Sequence, residues 1–463
     1  MSPGTSRFVL PKGDETPEER FAEAIPPMSD AQALQEASRC LFCFDAPCIR
    51  ACPTGIDVPT FIRKILSGNR EGSAQTIFDD NPLGGTCARV CPVEALCEGA
   101  CVRNDLDETI QIGRLQRYAT DCVTGSGEKL FEKIYRRKAA ASKNGRKVAV
   151  VGAGPAGLAC AVGLAERGFT VTVYEKSPRP GGLAEYGIVP YRLPREIPRV
   201  EADAVARMGV TFVYGKAVGA DVPAEKLLAE NDAVFLGMGV QKAKEIGVPG
   251  EGLPGVVDAL AFLAEVCTGN RAAMKVPKSV VVVGCGNTAM DAACSSAKLG
   301  VGEVHVVYRR NETDATAYPS ERALAKSLGV RFHWRTMPTL VFEHPFLKGR
   351  AGGVEVVDAH VANLGKGKTE LQPVAGTERR IAADRVIRAV GQALPTDVLT
   401  AFGVAHQNGR VPVDPETFRT NVPKVFAGGD MVNGAKEAVH AVQEGKLAAA
   451  GIAKVLLKAP GGR

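Results

Sequence analysis

The most constraining feature is a repeat. Lys147–Val151 is an apolar strand candidate, followed by Gly152-Ala153-Gly154-Pro155-Ala156-Gly157 and a helix-like stretch ending near Arg167-Gly168. The same order returns as Ser279–Val283, Gly284-Cys285-Gly286-Asn287-Thr288-Ala289 and a helix-like stretch to about Leu299. In this context the glycines have separate tasks: the first permits the tight turn, the second lets backbone approach a pyrophosphate, and the third allows close helix–strand packing. The chain is therefore expected to be α/β, with two Rossmann-like dinucleotide-binding units. At 463 residues there is room for roughly three domains of about 150 residues.

The two copies differ where the second strand ends. After the first loop, residues 170–174 lead into Glu175, an acid placed to accept hydrogen bonds from a ribose. After the second, residues 303–308 lead into Arg309 and Arg310. A carboxylate there would repel a 2′-phosphate, whereas guanidiniums bind it with charge-assisted hydrogen bonds. The second loop is thus expected to take NADPH and the first FAD. Residues 425–430, Val-Phe-Ala-Gly-Gly-Asp, precede a helix-like stretch over 435–456 and resemble the late motif of two-dinucleotide flavoprotein reductases. There the carboxylate, here Asp430, bonds the flavin ribityl chain. Residues 233–239 and 386–391 resemble the two crossings between domains. The expected division is a helical iron–sulfur domain with linker at 1–140, an FAD domain at 141–253 and 384–463, and an inserted NADPH domain at 254–383.

Disulfide reductases share these loops and carry a redox-active cysteine pair near the flavin. Here residues 181–188, Gly-Gly-Leu-Ala-Glu-Tyr-Gly-Ile, contain no cysteine. Electrons need another exit, and the cysteines supply a candidate. Eight of the 13 lie between Cys40 and Cys101, in the runs Cys40-x2-Cys43-x4-Cys48-x3-Cys52-Pro53 and Cys87-x3-Cys91-Pro92-x4-Cys97-x3-Cys101. Thiolate sets of this kind suit zinc or iron–sulfur clusters. Beside a flavin module with no internal acceptor, clusters are favoured, because they carry single electrons and zinc does not. The other five cysteines, Cys122, Cys160, Cys267, Cys285 and Cys294, are scattered and read as buried small hydrophobes.

From about Glu36 to Leu456 the chain resembles the iron–sulfur flavoprotein family that contains the electron-input part of dihydropyrimidine dehydrogenase and the small subunit of NADPH-dependent glutamate synthase. Residues 80–84, Asp-Asn-Pro-Leu-Gly, the Cys87 to Cys101 block and residues 112–116, Ile-Gly-Arg-Leu-Gln, look more like the pyrimidine branch. Residues 187–194, Gly-Ile-Val-Pro-Tyr-Arg-Leu-Pro, are shared by both branches and lie near the flavin in relatives. The resemblance implies two [4Fe-4S] clusters, one on Cys40, Cys43, Cys48 and Cys101, the other on Cys52, Cys91, Cys97 and the amide oxygen of Gln116, with Cys87 left as a non-ligand. It further implies FAD contacts from Gly152, Gly154, Pro155, Ala156, Gly157, Glu175, Gly182, Leu183, Arg192, Gly429, Asp430 and Ala438. For NADPH it implies Gly284, Gly286, Asn287, Thr288, Arg309, Arg310 and Gly391. No side chain is expected to do acid–base chemistry, since hydride transfer is positioned by the cofactor sites.

The expected function is electron input: NADPH to FAD to two clusters to a larger FMN-containing partner in a hetero-oligomer that reduces uracil or thymine. The alternatives are a glutamate synthase small subunit, a subunit of an electron-bifurcating NADPH:ferredoxin oxidoreductase and, from a different class, a zinc-stabilised interaction module fused to a nucleotide-binding sensor with no electron relay. The net charge of +6 is too small and dispersed to argue for nucleic acid or lipid. The polar, Pro-containing residues 1–19 lack the apolar stretch of a secretory leader, and no apolar run reaches the length of a membrane span, so a cytoplasmic location is expected.

Overall fold

The computed structural model describes residues 8–10, 15–363 and 369–457, so part of the opening stretch read for a leader, and the last residues assigned to the FAD domain, lie outside the described residues. Two compact units emerge. One comprises residues 27–185, 195–241 and 394–463; the other comprises 1–26, 186–194 and 242–393.

The first unit carries the two cysteine runs and the first glycine loop. Its sheet is parallel throughout, in the order Val425–Ala427, Ala233–Leu236, Lys147–Val151, Thr170–Glu175, Thr211–Tyr214. The central strands are apolar runs buried on both faces, as a helix-covered parallel sheet requires. Helix Pro155–Glu166 starts with Pro at its first turn, where no N–H partner is lost, and is Ala-rich along its length. Helix Ala438–Leu456 packs on it, close enough that a Cβ on Gly445 would stand 2.2 Å from the Ala156 carbonyl oxygen.

The cysteine-bearing part of this unit is helical. Asp30–Ser38 opens with a capping box at Ser29 and Gln32, Val58–Leu66 is capped by Asp57, and Arg70–Asp80 by Asn69. Their apolar faces, with Ile110, Ile112 and Leu115 from the region of helix Ile112–Asp121, form one small core. Leu83 and Cys87 join a different cluster, with Leu158, Ala159, Ala202, Val439 and Val442 from the dinucleotide-binding part.

The other unit carries the second glycine loop on a second parallel sheet, ordered Val256–Asp258, Arg385–Arg388, Ser279–Val283, Glu303–Val307, Arg331–His333. Beyond it lies an antiparallel sheet of Thr336–His344, Leu347–Asn363, Thr369–Pro373 and Arg379–Ala382, which the α/β pattern did not foretell.

Three boundaries differ from expectation. Residues 15–26 were grouped with the cysteine domain but belong to the second unit, where Phe21 is buried and packs 5.9 Å from Tyr191, with Arg271 over its ring. Residues 186–194 go with it, because Val189 and Tyr191 are core residues beside Phe262 and Val266. Strand Arg385–Arg388, expected after the return to the FAD domain, pairs with Ser279–Val283 in the second sheet, so this unit runs over 242–393 rather than 254–383. At its limits Lys242–Ala243 and Gln392–Ala393 form a two-stranded antiparallel ladder that ties the outgoing chain to the returning one.

Candidate functional site

The first glycine loop follows from its geometry. Gly152 has φ +98, a region that favours glycine, and a Cβ on Gly157 would stand 1.9 Å from the Gly152 carbonyl oxygen. Gly154 is the N-cap of helix Pro155–Glu166, so the amides at the start of that helix, including that of Ala156, open its positive end. Gly182 lies alongside, with its would-be Cβ 2.8 Å from Gly154 Cα, and Leu183, itself exposed, begins a short turn of helix whose Ala184 and Glu185 are buried. Glu175 is nearly buried; its Oε2 accepts the Ala153 N–H at 2.8 Å and its Oε1 the Ser177 N–H at 2.8 Å.

Asp430 joins this group. It starts the short helix Asp430–Asn433 after Gly429, whose N–H donates to Glu444 Oε2 at 2.7 Å. A Cβ on Gly429 would meet that of Ala156 at 2.9 Å, and one on Gly239 would lie 3.7 Å from Asp430 Oδ2. The late motif, the outgoing crossing and the first loop therefore converge, with Ala438 opening the helix packed behind them. Burial pushes the Asp430 carboxyl up to about 6, helped by the neighbouring charges of Glu444 and Glu437.

Cys40, Cys43, Cys48 and Cys101 line one recess, floored by Val58, Ile62 and Ile110. Among the described residues no three His, Cys, Asp or Glu side chains close on a point as they would around a single metal ion. Burial raises the Cys48 thiol to about 12, and the charges of Cys101, Cys40 and Cys43 push the same way; burial likewise raises Cys40. Thiolates so grouped repel one another and need a cationic partner, so a donor set of this kind suits an iron–sulfur cluster or zinc. Cys52, Cys91 and Cys97 form a second group. Cys97 is pushed up by burial, then by Glu98, Cys52 and Cys48, and Cys91 by a hydrogen bond with Cys87, burial and the charges of Cys87, Cys97 and Cys52. Gln116, buried on helix Ile112–Asp121, donates from Nε2 to the Gly84 carbonyl at 3.0 Å. Gly84 begins the helix Gly84–Val90, whose C-cap is Cys91.

In the other unit Gly284 has φ +126 and Gly286 caps helix Asn287–Lys298, which also carries Thr288; Asn287 Oδ1 accepts the Tyr318 N–H at 3.1 Å. Ala289, in place of a third glycine, is fully buried. Arg309 and Arg310 are exposed just past strand Glu303–Val307. Gly391, with φ +101, accepts the Lys244 N–H at 3.0 Å. Arg192, expected at FAD, sits between carboxylates of this unit, 3.0 Å from Asp291 and 2.8 Å from Glu321.

Sequence reasoning missed three groups. Arg335 has a left-handed backbone, φ +51, and donates its N–H to the Arg310 carbonyl at 2.9 Å, adding a third arginine at that sheet end. Glu444, on helix Ala438–Leu456, and Glu437, its N-cap, face Asp430, and neither acid carried an expected role. Glu201 is fully buried on helix Glu196–Arg207, and its one signal in sequence was an acid in register with Ile197, Ala204 and Val205.

Residues 17–128 match the family model for dihydropyrimidine dehydrogenase domain II, 4Fe-4S cluster, and residues 146–445 the model for pyridine nucleotide-disulphide oxidoreductase. The NAD-dependent dihydropyrimidine dehydrogenase subunit PreT of Escherichia coli (strain K12) is 36% identical over 437 residues, covering 93% of this chain and 96% of that one. The glutamate synthase [NADPH] small chain of Halomonas elongata is 35% identical, covering 95% and 94%. The NADP(+)-dependent formate dehydrogenase subunit beta of Moorella thermoacetica is 37% identical over 89% of this chain, which spans 60% of that longer relative. Among solved structures, Mycobacterium tuberculosis FprA in complex with NADPH has a TM-score of 0.55 at 19% identity, over 67% of this chain and 84% of its own, a likeness of fold. Among the described residues no helix is long and apolar enough to cross a membrane. The chain is an NAD(P)H-dependent flavin iron–sulfur oxidoreductase subunit. By both its matched domains and its full-length relatives, it belongs to the pyridine nucleotide-disulphide oxidoreductase family, in the branch that carries an N-terminal dihydropyrimidine dehydrogenase-type 4Fe-4S domain.

Proposed function

We propose that this chain is the electron-input subunit of a dihydropyrimidine dehydrogenase, taking electrons from NADPH and delivering them singly to a larger FMN-containing partner that reduces uracil or thymine. The observation that carries the reading is the shared apolar cluster of Cys87 and Leu83 with Leu158 and Ala159, which seats the second cysteine run on the helix of the first glycine loop. An acceptor built there adjoins the flavin site, where a disulfide reductase would keep a cysteine pair.

When bound, FAD and two [4Fe-4S] clusters would supply the exchange between two-electron and one-electron chemistry. The chain's own residues do the holding. The loop amides at Gly154 to Gly157 would receive the FAD pyrophosphate, Glu175 the ribose and Asp430 the ribityl hydroxyls. Cys40, Cys43, Cys48 and Cys101 would hold one cluster, and Cys52, Cys91, Cys97 and Gln116 the other. In the second unit Gly284 to Thr288 would receive the nicotinamide dinucleotide, with Arg309 and Arg310 favouring NADPH over NADH; relatives are named for either cofactor.

A second reading, the small subunit of a glutamate synthase, is supported by a relative of nearly equal identity. Anaerobic NADPH oxidation by the natively purified complex separates them. Turnover with uracil alone is expected; turnover only with glutamine plus 2-oxoglutarate would overturn the pyrimidine reading.

A further inference from the structure

Helix Gly84–Val90 lacks its own N-terminal cap, because Leu83 at that position offers no side-chain acceptor. The missing acceptor arrives from 115 residues downstream in sequence. Glu201 Oε1 accepts the N–H of Gly85 at 2.8 Å and of Thr86 at 3.1 Å, while Oε2 accepts the Thr86 hydroxyl. The carboxylate is wholly buried, and a Cβ on Gly85 would lie 3.1 Å from Oε1, so the turn is fitted to it.

That turn also presents the Gly84 carbonyl, which takes the Nε2 hydrogen of Gln116. A primary amide has a donor end and an acceptor end, and only the oxygen has a lone pair for a metal. With Nε2 committed to a buried carbonyl, Oε1 is the end that remains. Flipping the amide would set Oε1 against the Gly84 oxygen, two acceptors facing each other with no proton between them. At its other end the same helix is tied to the Gln116 helix by Arg89 and Asp121, 2.8 Å apart.

We propose that Glu201 is a positioning residue for the second iron–sulfur site: by capping residues 84–86 it fixes the Gly84 carbonyl, and through it the orientation of the Gln116 amide as an oxygen ligand. The inference rests on the reading of Gln116 as a ligand and adds to it a residue from the dinucleotide-binding part of the unit.

The test uses the whole 57Fe-labelled protein, purified anaerobically, with Mössbauer spectra of the oxidised state, in which an iron with an oxygen ligand is distinguishable from four-sulfur-coordinated iron. Glu201→Ala should shift or abolish that distinct iron signal while the all-cysteine cluster and the FAD content persist; Glu201→Gln, which keeps one acceptor oxygen, should restore most of it. In a Gln116→Cys background, where a thiolate needs no amide orientation, Glu201→Ala should add no further change. An unchanged signal in Glu201→Ala, or an equal further loss in the Gln116→Cys background, would overturn the positioning role, the latter by showing mere destabilisation. Gln116→Ala with both cluster signals intact would instead remove the ligand assignment, and the proposal with it.

Discussion

The carboxylate of Glu175 accepts the backbone N–H of Ala153, 2.8 Å away, inside the first glycine loop. The acid expected to meet a ribose thus also stiffens the turn that would receive the pyrophosphate. An ionised carboxylate has about four lone-pair sites, so bonds to Ala153 and Ser177 leave capacity for a ribose. Glu175→Ala should weaken FAD binding roughly ten- to a hundredfold, the range for lost hydrogen bonds to a charged group, with Glu175→Gln between. Titration of flavin-free protein by flavin fluorescence reads this directly, and an unchanged affinity would exclude Glu175 from the site.

Arg309 and Arg310 govern the choice of nicotinamide cofactor in the proposed function. Arg309→Asp replaces a guanidinium by a charge that repels a 2′-phosphate. The NADPH to NADH ratio of kcat/KM should fall at least about tenfold, chiefly through KM for NADPH. Steady-state kinetics with a dye acceptor measures it; an unaltered ratio would refute the assignment.

In the proposed function Cys87 and Gln116 are the two candidates for the fourth position of the second cluster. Cys87 is buried among Leu158, Ala159, Val439 and Val442, and its thiol is hydrogen-bonded to Cys91, whereas Gln116 is held to Gly84. Iron and labile sulfide per chain should stay near the wild-type value in Cys87→Ala and drop by up to half in Gln116→Ala. The reverse pattern would make Cys87 the ligand.

Asp430 sets a pH dependence in the flavin-free protein. Its carboxyl titrates at about 6 when folded, against an ordinary 3.8. The folded state therefore holds a proton that the unfolded chain has released, and this contribution to stability is present below about pH 4 and lost as pH rises through about 6. Relative to Asp430→Asn, the wild type should lose on the order of 1 kcal/mol between pH 5 and 7, read from urea denaturation. Parallel pH profiles for the two proteins would place the titration elsewhere.

Both glycine loops were legible in the chain because their signal is local. A strand, a turn with positive φ at Gly152 or Gly284 and a following helix occupy consecutive residues, and glycine is the residue that allows the turn. The contrast of Glu175 with Arg309 was equally local. Resemblance, and not spacing, brought Cys101 together with Cys40, Cys43 and Cys48, since spacing within each run says nothing about how distant runs fold onto one another.

The sequence by itself determined two dinucleotide loops of opposite charge character and two cysteine runs with metal-binding spacing. Tertiary structure alone decided that residues 15–26 pack with Tyr191 rather than with the cysteine helices, that Lys242–Ala243 pairs with Gln392–Ala393, and that Glu201 caps a helix more than 100 residues earlier. The physical reason is shared: each depends on which apolar face or unpaired backbone group is left to be satisfied once the local elements have formed, and that is a property of the packed chain rather than of any window along it.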